Sequence, residues 1–316
     1  MSFAVVTASN RPDRLRAFAE AWNFPDQVAW IVVADAPSVT DYAGLADLTF
    51  CWDDLPDWMP IHTDSIRSYG VWEAWKWGVD YTVFLDDDVL PVPGVDLFGE
   101  YERIFRDGAV VSDYLDVGAF TSAGLQMRGF PHRERKRRPV AIQYGGWVGV
   151  PDLDGATQVA NPEVTDETFA PVAIPVPRGA AVTGCNMNMA WQARYAPIVW
   201  QLPLLDGRYN RYGDIWAGLL SKRACDSAGL AVVVNGKAQV RHERASDPQA
   251  NLVKEAPGLA LNETLWQALA APTATNVVDA YQEATDSAAS FFYDIDTDYA
   301  DHFVHCRDEW LGLFEQ

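Results

Sequence analysis

An apolar run, Tyr81–Leu85, leads directly into three consecutive aspartates, Asp86, Asp87 and Asp88, in the segment FLDDDVLP. In an extended backbone Asp86 and Asp88 project to one side and Asp87 to the other. Two carboxylates on one side suit a hard divalent cation that bridges the phosphates of a nucleotide diphosphate. Without a cation the three acids repel one another, which weighs against the plain alternative of a solvated acidic turn. A phosphatase of the haloacid dehalogenase type also places Asp-x-Asp after an apolar strand. It does so near the N-terminus with a small hydroxyl residue following, whereas Val-Leu-Pro follows here.

A second constellation is RYNRYGDIWAGLL, where Asp214 opens an amphipathic segment after Gly213. An acid in a first helical turn is favoured by the helix dipole whether or not it has a catalytic task. Arg208 and Arg211 stand close enough in sequence to hold Asp214 or a phosphate, and His242, flanked by Arg241 and Arg244, would complete a metal site if it lay beside the aspartates. A third is the basic run His132–Arg138, whose alternatives are a solvated loop, a nucleic-acid patch and a phosphate-capturing loop. The segment GGWVGVPDLDGATQ brings Trp147, Asp152, Asp154 and Gln158 together, a mixture suited to sugar hydroxyls and a pyranose face. The chain has no GxGxxG and no Walker-type loop, so nicotinamide, flavin and ATP-hydrolysing functions lack their usual support.

The elements that must position these groups follow from periodicity. Phe3–Thr7 reads as a strand and Asp13–Trp22 as a helix, then Val28–Val33 as a second strand. A helical segment from Ile66 to Gly78 precedes the strand that ends at the aspartates. From Ser112 to Pro177 the pattern weakens and Gly, Pro, Asp and Thr accumulate, which predicts long loops over the sheet. Helical spacing returns at Asp214–Cys225, followed by an apolar run Leu230–Val234 and a short strand ending near His242. After Gly258 the chain reads as helical, with Trp310, Leu313 and Phe314 as a packing stripe. The expected class is α/β, an open and mainly parallel sheet with its site at the carboxyl edge.

Hydrophobic residues at 49% against 22% charged allow a large core. Lysine and arginine number 24 against 44 acids, so the net charge is 24 − 44 = −20, which opposes nonspecific contact with nucleic acid or an anionic membrane. An anionic substrate must therefore meet local cations or a bound metal. Cys51, Cys185, Cys225 and Cys306 are far apart and read as reduced thiols. The opening MSFAVVTASNRPDR has no leader pattern, and no run is long enough to span a bilayer, so the expectation is a cytoplasmic protein without membrane insertion.

The motifs FLDDDVLP, GFPHRER, GGWVGVPDLDGATQ, TGCNMNMAW, RYGDIWAGLL and RHERASDPQANLVKEAPG occur in that order. Together they resemble the reversibly glycosylated polypeptides, also known as UDP-arabinopyranose mutases, from the first strand to about Gly258. The helical tail with DEWLGLF looks similar too. The resemblance implies a GT-A-like nucleotide-sugar domain over residues 1–257 with a helical extension over 258–316. It implies a manganese or magnesium requirement and a UDP-sugar, a pentose such as arabinose, interconverted between pyranose and furanose forms, with self-glycosylation on an arginine that matches Arg135. The chain departs from the family at Tyr144-Gly145-Gly146-Trp147, where His-Gly-Leu-Trp is usual, and at Gly213-Asp214, where two adjacent acids are usual.

On this reading Asp86, Asp88 and His242 hold the metal, Asp35 and Arg67 the nucleoside end, and Asp214 and Arg135 act at the sugar. Asp87, Trp147, Asp152, Asp154, Gln158, Asn186 and Arg211 complete the substrate site. Two other functions fit the same features. One is a glycosyltransferase acting on an external acceptor, with a modified nucleic acid still open as that acceptor; the other is a non-catalytic sugar-nucleotide-binding or scaffold protein. The C-terminal helices could also supply an interface between copies.

Overall fold

The computed structural model describes residues 2–121, 124–205, 207–209, 211–244 and 246–315. Strands β1 (Phe3–Ser9), β2 (Val28–Ala34), β3 (Leu48–Phe50) and β4 (Tyr81–Leu85) are joined in part by helices α1 (Pro12–Trp22) and α2 (Arg67–Lys76). They pair in parallel in the order β3-β2-β1-β4. The next elements are β5 (Val89–Pro91), α3 (Leu97–Asp107), β6 (Ala109–Val110), β7 (Arg137–Arg138) and β8 (Val140–Gly149). Then come α4 (Gly155–Ala160), β9 (Glu167–Thr168), β10 (Ala173–Pro175), β11 (Asn188–Gln192), α5 (Gly213–Ser227) and β12 (Ala231–His242). Three helices close the chain: α6 (Pro248–Ala268), α7 (Val277–Tyr293) and α8 (Thr297–Gly312).

The large sheet runs β10-β12-β8-β11-β4-β1-β2-β3. Its one-residue alternation divides the core. Phe3, Val5, Tyr81, Val83 and Leu85 face the cluster under α1 and α3. Ala4, Val6 and Phe84 face the cluster under α2, α5, α7 and α8. A sheet buried on both faces needs such nearly continuous apolar strands. The expected α/β class is the one the chain adopts, but the sheet is mixed where a mainly parallel one was expected: parallel across β3-β2-β1-β4 and between β8 and β12, antiparallel where β11 lies between β4 and β8 and where β5 and β10 join β12. Because β11 reverses, β8 runs in the same direction as β4, and Gln192, opposite Tyr81, donates to the Val140 carbonyl at 2.6 Å.

The stretch 112–177, expected as loops, contains β8, a ten-residue strand in the middle of the sheet. Its polar and glycine residues have the composition of a loop because their role is internal. Gln143 Nε2 donates to the Tyr101 carbonyl at 2.9 Å, and Asn235 Nδ2 donates to Gln143 Oε1 at 2.9 Å. Asn188 Nδ2 donates to the carbonyls of Gly146 at 2.9 Å and Ala238 at 2.8 Å, while the Tyr101 hydroxyl donates to its Oδ1 at 2.6 Å. Buried polar groups satisfied in this way stabilise a strand centre, and left unpaired they would destabilise it. Gly145 is required by the same packing, since a β-carbon there would run into the Asn188 amide and the Tyr101 hydroxyl. Likewise β12 is one strand with an irregularity between Asn235 and Gln239, not two short ones.

The tail packs by aromatic contact. Trp310 is fully buried and its indole N–H donates to the Pro197 carbonyl at 2.8 Å. Phe303 meets Trp200 with ring centroids 5.4 Å apart. Phe314 sits edge-on to both Trp310 and Trp75, and Leu313 is partly buried against the same core, so the stripe at 310, 313 and 314 packs as expected. Helix α6 runs unbroken through position 258.

Candidate active site at the carboxyl edge

Strand β4 ends at Leu85 and the chain turns at once, with the Val89 amide donating to the Asp86 carbonyl at 3.2 Å. That turn governs where the three aspartates point. Asp86 meets Arg67 of α2, whose Nη2 lies 3.0 Å from Oδ1. Asp87 accepts from the Ser9 hydroxyl at the end of β1 and from the Arg11 guanidinium, whose Nε is 3.0 Å away. Asp88 would join the Asp86 side in a continued strand. After the turn it faces Arg11 Nη2 at 3.4 Å and Arg244 Nη1 at 3.6 Å.

Electrostatically the edge carries an excess of buried negative charge. Desolvation lifts the Asp86 carboxyl to about 7 against the pull of Arg67, with Asp88, Asp64 and Asp87 adding repulsion. Asp87 is also raised by burial, opposed by the Ser9 hydroxyl and Arg11. Asp214, in the first turn of α5, accepts from the Ile215 amide at 2.9 Å and the Asn186 amide at 3.4 Å. Burial raises it to about 6, with Asp64 and Asp152 contributing and Arg67 opposing. Burial works against the charge on Arg67, yet Asp86, Asp64 and Asp214 outweigh it and hold the guanidinium protonated. Its Nε is buried without a hydrogen-bond partner among the described residues. Arg67 is thus the hub between two acids delivered by β4 and α5.

The other expected residues divide into two groups. Asp35, just beyond β2, accepts from the Trp52 indole at 2.8 Å and the His62 amide at 2.9 Å. Asn186, just before β11, donates to Gln201, and the neighbouring Cys185 thiol is raised by burial and by Asp152. Trp147 lies near the carboxyl end of β8 against Phe169, with centroids 5.2 Å apart. His242 pairs with Val89, one residue beyond Asp88, and its Nδ1 lies 2.7 Å from the Val150 carbonyl. All of these belong to the carboxyl edge.

Asp154 and Gln158 are instead engaged in capping and packing, and Arg211, although paired with Glu255, also lines a small pocket with Asp64 and Asp214. Asp154 caps α4 through the Thr157 amide at 2.9 Å, and hydrogen bonds from Thr157 hold its carboxyl below the usual range despite burial. Gln158 accepts from Ser246 and Asn251 of the α6 region. Arg211 Nε donates to Glu255 at 2.8 Å. Arg135 donates from Nη2 to the Phe130 carbonyl at 3.0 Å. Among the described residues no hydrogen bond or ion pair links it to Asp86, Asp88 or Asp214. Its neighbours Arg137 and Arg138 form β7, just before the amino end of β8 and so at the opposite edge of the sheet.

Residue spacing did not reveal Arg11, Ser9 or Asp64. Arg11 sits in the loop between β1 and α1, and a cation immediately after a first parallel strand was the available signal.

No group of three or more His, Cys, Asp or Glu side chains among the described residues is gathered in a geometry that would hold a metal ion. The donor chemistry nonetheless suits a hard cation, with Asp86 and Asp88 close enough to repel. His242 has Nδ1 tied to a carbonyl, as metal-binding histidines usually do, which leaves Nε2 available.

The family model for reversibly glycosylated polypeptides matches residues 118–316. The chain belongs to that family. A Solanum tuberosum relative named "Probable UDP-arabinopyranose mutase 1" is 31% identical over 196 residues, which is 60% of this chain and 53% of the relative. UDP-arabinopyranose mutase 1 of Arabidopsis thaliana is 28% identical over 196 residues, 60% of this chain and 54% of that one. This family member therefore spans about half the length of the curated relatives it matches. Among solved structures, GalNAc-T7 with UDP, GalNAc and Mn2+ aligns with 96% of this chain and 58% of its own, at 11% identity and a TM-score of 0.42. No helix among the described residues is long and apolar enough to cross a membrane.

Proposed function

We propose that the chain is a UDP-sugar mutase that interconverts the pyranose and furanose forms of a UDP-pentose resembling UDP-arabinose. The observation that carries this reading is that the end of β4 and the first turn of α5 bring Asp86 and Asp214 to one edge of the sheet beside the buried Arg67, which pairs with Asp86 at 3.0 Å. The names of the family's relatives agree with it.

Asp86, Asp88 and His242 would hold a divalent cation, manganese or magnesium, which when bound neutralises charge on the diphosphate leaving group. Arg244, loosely paired with Asp88 and half exposed, is free to swing onto phosphate oxygens, while Arg11 stays held on Asp87 by a two-point contact. Asp35, with Trp52 and His62 beside it, offers an acceptor and aromatic surface to the nucleoside. Interconversion is an isomerisation with no redox change. The bond from the anomeric carbon to the phosphate oxygen breaks with its electron pair left on UDP and re-forms once the ring has changed size. The hydroxyl that closes the five-membered ring loses one proton, and the former ring oxygen gains one. A single carboxyl that takes up and returns a proton near neutrality serves both events, and Asp214, at about 6, suits that task. Self-glycosylation at Arg135 rests on the family resemblance alone.

The test is incubation of purified protein with UDP-arabinopyranose and manganese, without acceptor, followed by chromatography of the nucleotide-sugars. The furanose form is expected, and chelation should abolish it. Absence of the furanose form under every metal condition rejects the mutase reading, and release of UDP only when an acceptor is supplied replaces it with a transferase.

A further inference from the structure

The basic edge of the sheet carries a second concentration of unusual side chains. Tyr114, Leu115, Val117, Phe120, Leu125 and Met127 expose between 46% and 69% of their surface. They are six of the fourteen large apolar residues exposed among the described residues, and all six fall in one stretch. Scattered exposed apolar residues need no explanation, but a contiguous group marks an interaction surface.

Immediately after it, residues 128–138 hold six Arg or Lys and one Glu, a net +5, so the rest of the chain carries −20 − 5 = −25. The two stretches are joined in space. Tyr114 meets Phe130 with centroids 6.3 Å apart, and Arg178 lies 2.9 Å from Asp113 and 3.6 Å from Glu134. The acids of the apolar stretch are answered locally. Asp113 is paired with Arg178, and Asp116 accepts from the amides of Gly118 at 3.0 Å and Met127 at 3.2 Å. Beside them lies a cavity of about 390 Å³ walled by Tyr114 and Leu115 and by three cations, Lys237, Arg137, which donates to the Asp107 and Gly108 carbonyls, and Arg103, which is paired with Glu100 at 2.6 Å. Its carboxylates, Asp107 and Asp116, are engaged by Arg106 and by the two amides.

We propose that this face docks the protein on an anionic phospholipid surface, the apolar side chains entering the headgroup boundary and the cavity receiving a phosphate headgroup. Apolar tips fringed by Arg and Lys are what a bilayer interface selects, since it requires depth and sign of charge and not a matched shape. The overall charge of −20 averages over segregated charges, and repulsion from the acidic remainder fades beyond about 8 Å at physiological salt. A contact made here, against the edge strand β10 and the amino end of β8, leaves the acidic cleft at the carboxyl end of β4 open to water-soluble substrates.

The experiment is flotation of the full chain with vesicles of phosphatidylcholine alone and of an equal mixture with phosphatidylglycerol. Binding is expected only to the mixture and should fall at high salt. Leu115→Asp with Phe120→Asp, and separately Arg133→Glu with Lys136→Glu, should each reduce the bound fraction by about 10-fold with unfolding midpoints unchanged. Lys237→Glu should weaken binding less. No flotation with either vesicle overturns the proposal, as does equal flotation with both. Self-association that Phe120→Asp abolishes, without vesicle binding, also overturns it and assigns the face to a second copy of the chain. Should the apolar variant fail to fold, the charge-reversed pair alone decides.

Discussion

Asp86–Asp88 and His132–Arg138 are both short runs of like charge, and the fold treats them in opposite ways. The aspartates leave the end of a buried strand, so each is met by an arginine from a different element: Arg67 from α2, Arg11 from the loop after β1, Arg244 from beyond β12. The basic run leaves a loop, and its side chains go to carbonyls and solvent. Arg137 donates to the Asp107 and Gly108 carbonyls, and Arg133 is 86% exposed. A charge run therefore acquires a demanding environment from the element that delivers it, and an exposed run remains interchangeable.

That contrast can be broken most directly by turnover. Asp88→Ala should reduce furanose formation by about 10³-fold with little change in unfolding midpoint, measured by nucleotide-sugar chromatography and thermal melts. Near-normal turnover would place the acidic edge on the same footing as the basic run. Next in size is stability. Arg67→Met leaves Asp86 with no cation and should cost about 3 kcal/mol in urea unfolding, whereas Arg133→Met should change stability by less than about 0.5 kcal/mol. Equal effects would end the comparison.

A third test uses pH. Asp214 has a folded ionisation near 6 against an ordinary 3.8, so the stability it contributes is complete below about 3.8 and lost as pH rises through about 6. Asp214→Asn should therefore be more stable than the parent at pH 7, by about 1–2 kcal/mol given the solvent contact its carboxyl retains, and equal to it below pH 4. A difference that does not vary with pH would assign the effect to packing. The smallest expected effect on stability belongs to Arg135→Ala, within about 0.5 kcal/mol. Its decisive readout is sugar labelling of the protein, which should disappear; full labelling would move the modified position elsewhere.

Much of the acidic edge was legible because its signals are local. An apolar run followed by acids marks a parallel strand and its carboxyl end, and an acid after Gly213 marks a helix start. What could not be read was the sheet's middle. Gln143 and Asn235 are buried and bonded to each other, and Asn188 is buried and bonded to Tyr101 and to carbonyls of β8 and β12, so all three carry the composition of a loop in the environment of a core. Strand alternation puts Asp88 on the side of Asp86, and the turn after Leu85 cancels that alternation. Asp154 and Gln158 serve capping and packing, which use the same polar groups as recognition, whereas Arg211 pairs with Glu255 and still lines the pocket beside Asp214.

The indole of Trp310 has a consequence for synthesis. It holds the Pro197 carbonyl, and the turn there leads to Gln201, which receives the amide of Asn186 beside Asp214. A ribosome-bound chain will have made every residue of the acidic edge well before α8 emerges, yet that turn lacks its anchor until then. The cleft therefore cannot set until α8 has been made, and a chain truncated after α7 should be inactive and aggregation-prone.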